Sequence, residues 1–264
     1  MTIATTDLEL PDTRDFTALT VTEHEDRVIV ELTRPEVRNA IDETMVAELH
    51  AICAHLESYP KILIITGCEA NGKGIFASGA DIGQLRERRR EDALRGINNT
   101  IFNRIAQLPL PVIAAIDGYA LGGGLELALA ADFRVATPAA KFGQPEANLG
   151  IIAAAGGMWR LKELVGEALA KEILLAGRTL TGEEALAAHL VTEVTEPSGL
   201  LTVARELADR IARLDPLAVR ISKQVMAMPP SAHPAVDNIA QAVLFESEAK
   251  FDRMQTFLDR KKNK

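Results

Sequence analysis

Between an apolar run, Val112 to Ile116, and a helical pattern beginning near Leu125, the chain carries Gly118-Tyr119-Ala120-Leu121-Gly122-Gly123-Gly124. Glycine in a helix start costs about 1 kcal/mol per residue relative to alanine, so three in succession need a reason. Close helix packing is one. A backbone N–H aimed at a developing oxyanion and reinforced by the helix dipole is another. Glu126 projects from the first turn among Leu125, Leu127, Ala128, Leu129 and Ala130. Dipole complementarity alone accounts for a glutamate there. An apolar setting, however, implies burial, and burial raises a carboxyl pKa toward values suited to proton transfer.

The surrounding pattern is that of an α/β domain. Thr17 to Glu23 and Arg27 to Thr33 alternate around Glu25-Asp26 and predict a hairpin ending at Arg34-Pro35. Met45, Val46, Leu49, Ile52, Cys53 and Leu56 recur at helical spacing over 43–58, with Asp42 as N-cap. Ile62 to Thr66 and Val112 to Ile116 read as buried strands, and Phe133 to Ala136 as another. A glycine-rich loop is expected over 67–79, a helix over 93–108 and a turn over 118–124. Strand–helix–strand alternation of this kind favours parallel pairing. After about Gly156 nearly everything is helical in period, apart from Val191 to Val194. The expected organisation is a loose arm over 1–15, an α/β core over 16–195 and a helical region over 196–264.

Composition excludes several function classes. Hydrophobic residues make up 47% of the 264, and charged residues 25%, which rules out a disordered or fibrous chain. A net charge of −8 and 4% aromatic content disfavour a nucleic-acid reader and an anionic-membrane surface. Two cysteines, Cys53 and Cys68, are too few for a disulfide framework or a four-thiolate zinc site. No apolar stretch reaches the ~18 residues of a membrane span, and the N-terminal residues lack a leader pattern. The expectation is a cytoplasmic protein.

Other loops carry chemistry-bearing residues. Gly67-Cys68-Glu69-Ala70-Asn71-Gly72-Lys73-Gly74 nearly spells an NTPase phosphate loop, but Gly74 stands where Ser or Thr must hold magnesium, so an irregular surface loop is expected. Ser78-Gly79-Ala80-Asp81-Ile82 offers unscreened amides, or simply a turn with Asp81 as helix cap. Phe142-Gly143-Gln144-Pro145-Glu146 supplies a second carboxylate in a proline-anchored loop; taken alone, Glu146 reads as a surface residue. Arg86, Arg88, Arg89 and Arg90 read as a solvated helix face balanced by Glu87 and Glu91, with phosphate contact as the alternative. His24, His50, His55, His189 and His233 show no ligand spacing, and Trp159 reads as packing.

Together these loops resemble the enoyl-CoA hydratase/isomerase (crotonase) family. The matching stretches are Arg34-Pro35 with Asn39-Ala40, residues 78–82, residues 111–126, residues 142–146, Leu180-Thr181-Gly182-Glu183-Glu184-Ala185 and Leu190-Val191. The resemblance implies a spiral of ββα units with a C-terminal helical trimerisation region, and an acyl-CoA thioester substrate. It maps the oxyanion-hole amides onto Ala80 and Gly123 and the hydratase glutamates onto Glu126 and Glu146. Glu126 would orient and activate a water, and Glu146 would protonate the α-carbon. Val37, Arg38, Ala40, Ser78, Asp81, Ile82, Gly83 and Gly122 are the further substrate-binding candidates it implies. It calls for no metal and no cofactor, CoA being carried by the substrate, and for a homotrimer or hexamer. Phe257, Lys261 and Lys262 are candidates for the nucleotide end.

The pattern departs from the family at Ala153-Ala154-Ala155, where the usual run is Pro-Gly-Ala, and at Asp252-Arg253-Met254. Ala154 adds a methyl group close to the expected water site. Three readings therefore stay open: an enoyl-CoA hydratase, an isomerase or other acyl-CoA enzyme of the same fold, and a catalytically silent CoA-binding member. The glutamate pair favours the first.

Overall fold

β-Branched alternation on either side of Glu25-Asp26 folds as expected: β1 (Leu19–Glu23) pairs antiparallel with β2 (Arg27–Leu32) in the computed structural model, which describes residues 13–262. The expected arm over 1–15 falls mostly outside the described residues; Thr13–Asp15 form a 3-10 turn. Helix α1 (Glu43–Ser58) starts where the sequence placed it, with the Asp42 carboxylate accepting the Met45 N–H at 2.9 Å. It buries Met45, Leu49, Ile52 and Leu56. β3 (Ile62–Thr66) follows.

The glycine-rich segment after β3 is more ordered than expected. β4 (Cys68–Ala70) and β5 (Lys73–Ala77) form a hairpin, turning at Asn71-Gly72 with both residues at positive φ. No helix begins near Lys73, which removes the phosphate-loop reading. The single helix expected over 93–108 is also divided. α2 (Ile82–Glu87), α3 (Arg90–Arg95) and α4 (Ile97–Ala106) succeed one another, and left-handed Gly96 (φ 61°) separates the last two.

β6 (Val112–Ile116) is fully buried, as a continuous apolar run demands. The expected turn over 118–124 contains β7 (Tyr119–Leu121) before α5 (Gly123–Ala130) begins. β8 (Phe133–Ala136), β9 (Lys141–Gly143), α6 (Lys162–Ala176), β10 (Leu180–Thr181), α7 (Gly182–Ala187) and β11 (Glu193–Val194) complete the α/β part. A π-helical turn, Gly157–Leu161, leads into α6.

Two sheets result. The first runs β1-β2-β3-β6-β8-β11 and is parallel after the opening hairpin. The second runs β10-β9-β7-β5-β4, with parallel pairing at β5–β7–β9 and antiparallel pairing at its edges. The pairs β6–β7 and β8–β9 each leave one strand in each sheet before the next helix, and β3 with the β4–β5 hairpin follows the same course with one strand more, the repeating ββα pattern that the resemblance implied. The buried cluster includes Leu63, Ile65, Phe76, Phe102, Ile116, Leu125, Leu127 and Phe142.

Polar anchors inside this core hold the loops. Asn39 Nδ2 donates to Ile75 O at 3.0 Å and Phe76 O at 2.9 Å, fastening residues 34–40 to β5. Buried Arg134 donates to Leu190 O and to Ala131 O at the C-terminal end of α5, a suitable place for a cation. Burial lowers the Arg134 pKa to about 10, so it stays charged.

The chain divides into two compact units, the first ending at Ala208 and the second beginning at Asp209. Helix α8 (Leu200–Ala212) carries that division. The second unit contains α9 (Pro216–Met226), α10 (Ala235–Phe245) and α11 (Glu248–Lys262). In the single chain it leaves Met226, Ile239, Val243, Phe251, Met254, Phe257 and Leu258 exposed. Among the described residues no helix is long and apolar enough to cross a membrane.

Candidate active site

The ends of β5 and β7 bring two backbone amides together. Ile41 bridges the loop after β5 by donating to Gly79 O (2.8 Å) and accepting from Asp81 N (3.0 Å), so the intervening Ala80 N–H is not used by that bridge. Gly123 opens α5, where the helix ladder supplies its N–H with no acceptor. The two segments abut: a Cβ built on Gly123 would lie 3.3 Å from Ala80 N. Gly122 precedes them at φ 51°, a conformation that favours glycine.

The three glycines divide the two purposes that their sequence left open. A Cβ on Gly124 would stand 2.1 Å from Ala77 O, so this glycine permits α5 to pack on β5. Gly123 presents an N–H, and Gly122 makes the turn.

A cleft of about 650 Å³ opens beside these amides, lined by Ser78, Gly79, Ala80, Gly122, Gly123, Glu126 and Glu146 among others. Ile82, Leu149, Ile151 and Ile152 give it an exposed apolar rim. Ala154 also lines it.

Glu126 is 4% exposed on α5, and Glu146 is 9% exposed at the start of a 3-10 turn, Glu146–Leu149. Their surroundings differ. Glu126 Oε1 accepts N–H groups from Ala155 at 2.7 Å and Gly157 at 2.9 Å. Burial raises its pKa, while those two amides and the charge of Arg160 oppose the rise. Glu146 lacks such ionic support. Burial, with a smaller contribution from the Glu126 charge, pushes its pKa up to about 7. The Gln144 amide nitrogen, oriented to donate, lies 3.0 Å from each Glu146 oxygen. Both carboxyls thus hold a proton more tightly than an ordinary glutamate, and only Glu126 is held by backbone amides and a nearby cation, so the two sit in unlike surroundings suited to different acid–base roles.

Arg160 is 7% exposed. Its Nη2 donates to Asn103 Oδ1 on α4 at 2.5 Å, and the guanidinium lies 4.1 Å from the Trp159 ring centroid. Among the described residues, Arg160 Nη1 and Arg88 Nε are the buried side-chain polar atoms without a hydrogen-bond partner.

Of the residues singled out from sequence, Ser78, Ala80, Ile82, Gly122, Gly123, Glu126 and Glu146 converge on the cleft. Val37, Arg38, Ala40, Asp81 and Gly83 are outside its lining. Asp81 caps α2 by accepting Gln84 N–H at 2.9 Å, and Arg38 is exposed beside the loop after β5, its carbonyl accepting Ser78 N–H at 3.0 Å. Phe257 and Lys261 lie together in the second unit, the ammonium 5.3 Å from the ring centroid; the Lys262 side chain lies outside the described residues. Gln144, Arg160, Asn98 and the inward position of Arg88 were not assigned roles from sequence. Gln144 stood within the quoted loop, and an amide two residues before a buried acid was the available signal. Among the described residues no group of three or more His, Cys, Asp or Glu side chains is placed to hold a metal ion.

Residues 23–264 match the family described as Enoyl-CoA hydratase/isomerase. A short-chain-enoyl-CoA hydratase of Clostridium acetobutylicum is 36% identical over 242 residues, covering 89% of this chain and 92% of that protein. A crotonyl-CoA hydratase of Syntrophomonas wolfei is 34% identical with the same coverage of both chains. Among solved structures, an enoyl-CoA hydratase from Bacillus anthracis superposes with a TM-score of 0.86 at 30% identity, over 92% of this chain and 97% of the other. One from Geobacillus kaustophilus gives 0.84 at 34% identity, over 93% and 96%.

Proposed function

The chain belongs to the enoyl-CoA hydratase/isomerase family, and from that premise we propose that it adds water across the 2,3 double bond of a 2-enoyl-CoA thioester. One observation carries the reading: two buried carboxyl groups, both with raised pKa, line the same cleft as two adjacent backbone amides.

The thioester oxygen is received by the Ala80 and Gly123 N–H groups. A water held between Glu126 and Glu146 attacks C3 and forms the carbon–oxygen bond. The π pair of the double bond moves toward C2, and the thioester oxygen takes the charge of an enolate. Glu126 accepts the proton that the water loses. The Glu146 carboxyl gives its proton to C2, and the enolate returns to a thioester. A proton then passes from Glu126 to Glu146, so no net proton is consumed. Because one water and both carboxyls occupy one face of the alkene, the addition is syn. The amides act mainly on charge that exists only in the transition state, and loss of one such donor costs about 3–4 kcal/mol in a comparable site. Nothing in these steps calls for a metal or a cofactor beyond the CoA of the substrate.

The test is incubation with crotonyl-CoA, following loss of the conjugated enoyl absorbance and the product mass. Hydration adds one water. Double-bond migration, the reading that the Ala154 methyl group keeps open, leaves the mass unchanged. A protein that binds acyl-CoA without altering it is the silent member.

We also infer self-assembly into a trimer or a doubled trimer, in the cytoplasm. The exposed Met254, Phe257 and Leu258 of α11, together with Ile239 and Val243 of α10, support it, because soluble chains rarely leave such residues together in water. Light scattering should report three or six copies, and removal of residues 240–264 should weaken assembly.

A further inference from the structure

The basic run after the Ala80 loop is not uniformly solvated. Arg88 follows α2 directly, is partly buried and lines the cleft. Its Nε is buried with no acceptor, and its Nη1 reaches only Asn98 Oδ1, at 3.4 Å. Asn98 is itself buried, lines the same cleft and stands beside the oxyanion turn: a Cβ on Gly123 would lie 3.7 Å from its Nδ2. Through Asn98, Arg88 stands on the side of the cleft that carries the Gly123 turn. Arg89 lines the cleft next to it.

Asp92, a carboxylate that lines the same cleft and feels the charge of Arg88, is engaged elsewhere. Its Oδ1 pairs with Arg95, and its Oδ2 accepts the Arg89 N–H at 2.8 Å. Buried donors are rarely left unsatisfied, and a guanidinium is shaped to take a carboxylate. An aliphatic acyl chain would supply no acceptor. A CoA phosphate carries oxygen acceptors of the same kind, and comparing thioesters with and without a terminal carboxylate separates the two sources.

We infer that the Arg88 side of the cleft selects a 2-enoyl-CoA whose acyl chain ends in a carboxylate, and that Arg88 reads that carboxylate. The inference rests on the hydratase reading of the same cleft.

The experiment compares three trans-2-enoyl-CoA thioesters on the intact protein: the four-carbon one, the six-carbon one ending in methyl, and the six-carbon one ending in carboxylate. The carboxylated thioester should exceed its methyl-ended counterpart in kcat/KM by about tenfold or more, the worth of a charged hydrogen bond. Arg88→Met should abolish that preference mainly through KM, and Arg88→Lys should keep part of it. Wild-type preference for the methyl-ended chain overturns the inference while leaving hydration intact, and needs no variant to be read. Equal losses on all three thioesters in Arg88→Met overturn it in favour of a CoA phosphate contact. No hydration of any thioester overturns the hydratase reading, and this inference with it.

Discussion

The Glu146 carboxyl rests against Gly122: a Cβ at that glycine would stand 2.9 Å from Glu146 Oε1. The turn that delivers the Gly123 amide is thus also the wall of the proposed acid's pocket. That contact keeps water from one side of the carboxyl and contributes to the burial that pushes its pKa up to about 7.

The pH dependence follows with a definite sign. Glu146 must be protonated to donate to C2, so kcat/KM should fall as pH rises through about 7. Glu126 must be ionised, so the rate should also fall on the acid side, at a pH above that of an ordinary glutamate. Both limbs belong to the interacting pair. A rate still climbing at pH 9 would exclude Glu146 as the acid.

Glu126→Gln retains an oxygen for the Ala155 and Gly157 amides and removes only basicity. It should lower hydration by roughly 10²–10⁴-fold with acyl-CoA affinity largely kept, and Glu146→Gln should do the same. Parental turnover in either variant removes that residue from the mechanism.

Gly123 and Gly124 should respond to substitution in opposite ways. Proline at the first helical position is compatible with a helix start but deletes the N–H, so Gly123→Pro should fold by circular dichroism and lose turnover. Gly124→Ala should unfold at lower denaturant concentration, since its methyl would meet Ala77 O at 2.1 Å. A folded, fully active Gly123→Pro protein would take that amide out of the reaction.

A raised folded-state pKa also governs stability. Glu146 binds its proton more tightly in the fold than in the unfolded chain, where a glutamate titrates near 4.5. Its contribution is therefore complete at low pH and is lost as pH rises from about 4.5 to about 7. Glu146→Gln should raise Tm by roughly a few degrees at pH 8 and leave it near parental at pH 4. Equal Tm differences at both values would contradict the linkage.

Arg160 acts on Glu126 through its charge. Arg160→Met should move the acid limb of kcat/KM upward, and Arg160→Lys should restore most of its position. A uniform drop in kcat with an unmoved profile would mean that Arg160 only supports packing.

Sequence carried the helix at α1 and the strand at β6 because each satisfies local and tertiary demands together: Asp42 caps the pattern it precedes, and five apolar residues fill a buried strand. The hairpin of β4 and β5 was hidden because Lys73 and Gly74 have no strand preference; pairing with β7 orders that strand. Gly96 broke a helix that its apolar period continued through, since a left-handed φ leaves no trace in periodicity. Glu126 was legible from its apolar neighbours. Glu146 was not, because its burial depends on Gly122 and Gln144 meeting it in space. Arg88 looked solvated in a run of charges, and only the fold of α2 toward α4 turns it inward.

Neither proposed oxyanion donor is a side chain. The Ala80 and Gly123 amides belong to the backbone linking β5 to α2 and β7 to α5, so a single codon change deletes one of them only by introducing proline. Heritable variation falls instead on Glu126, Glu146, Arg88 and Ala154, which decide what happens to a thioester once it is polarised. A lineage with this backbone can exchange one reaction for another while passing on the activation step intact.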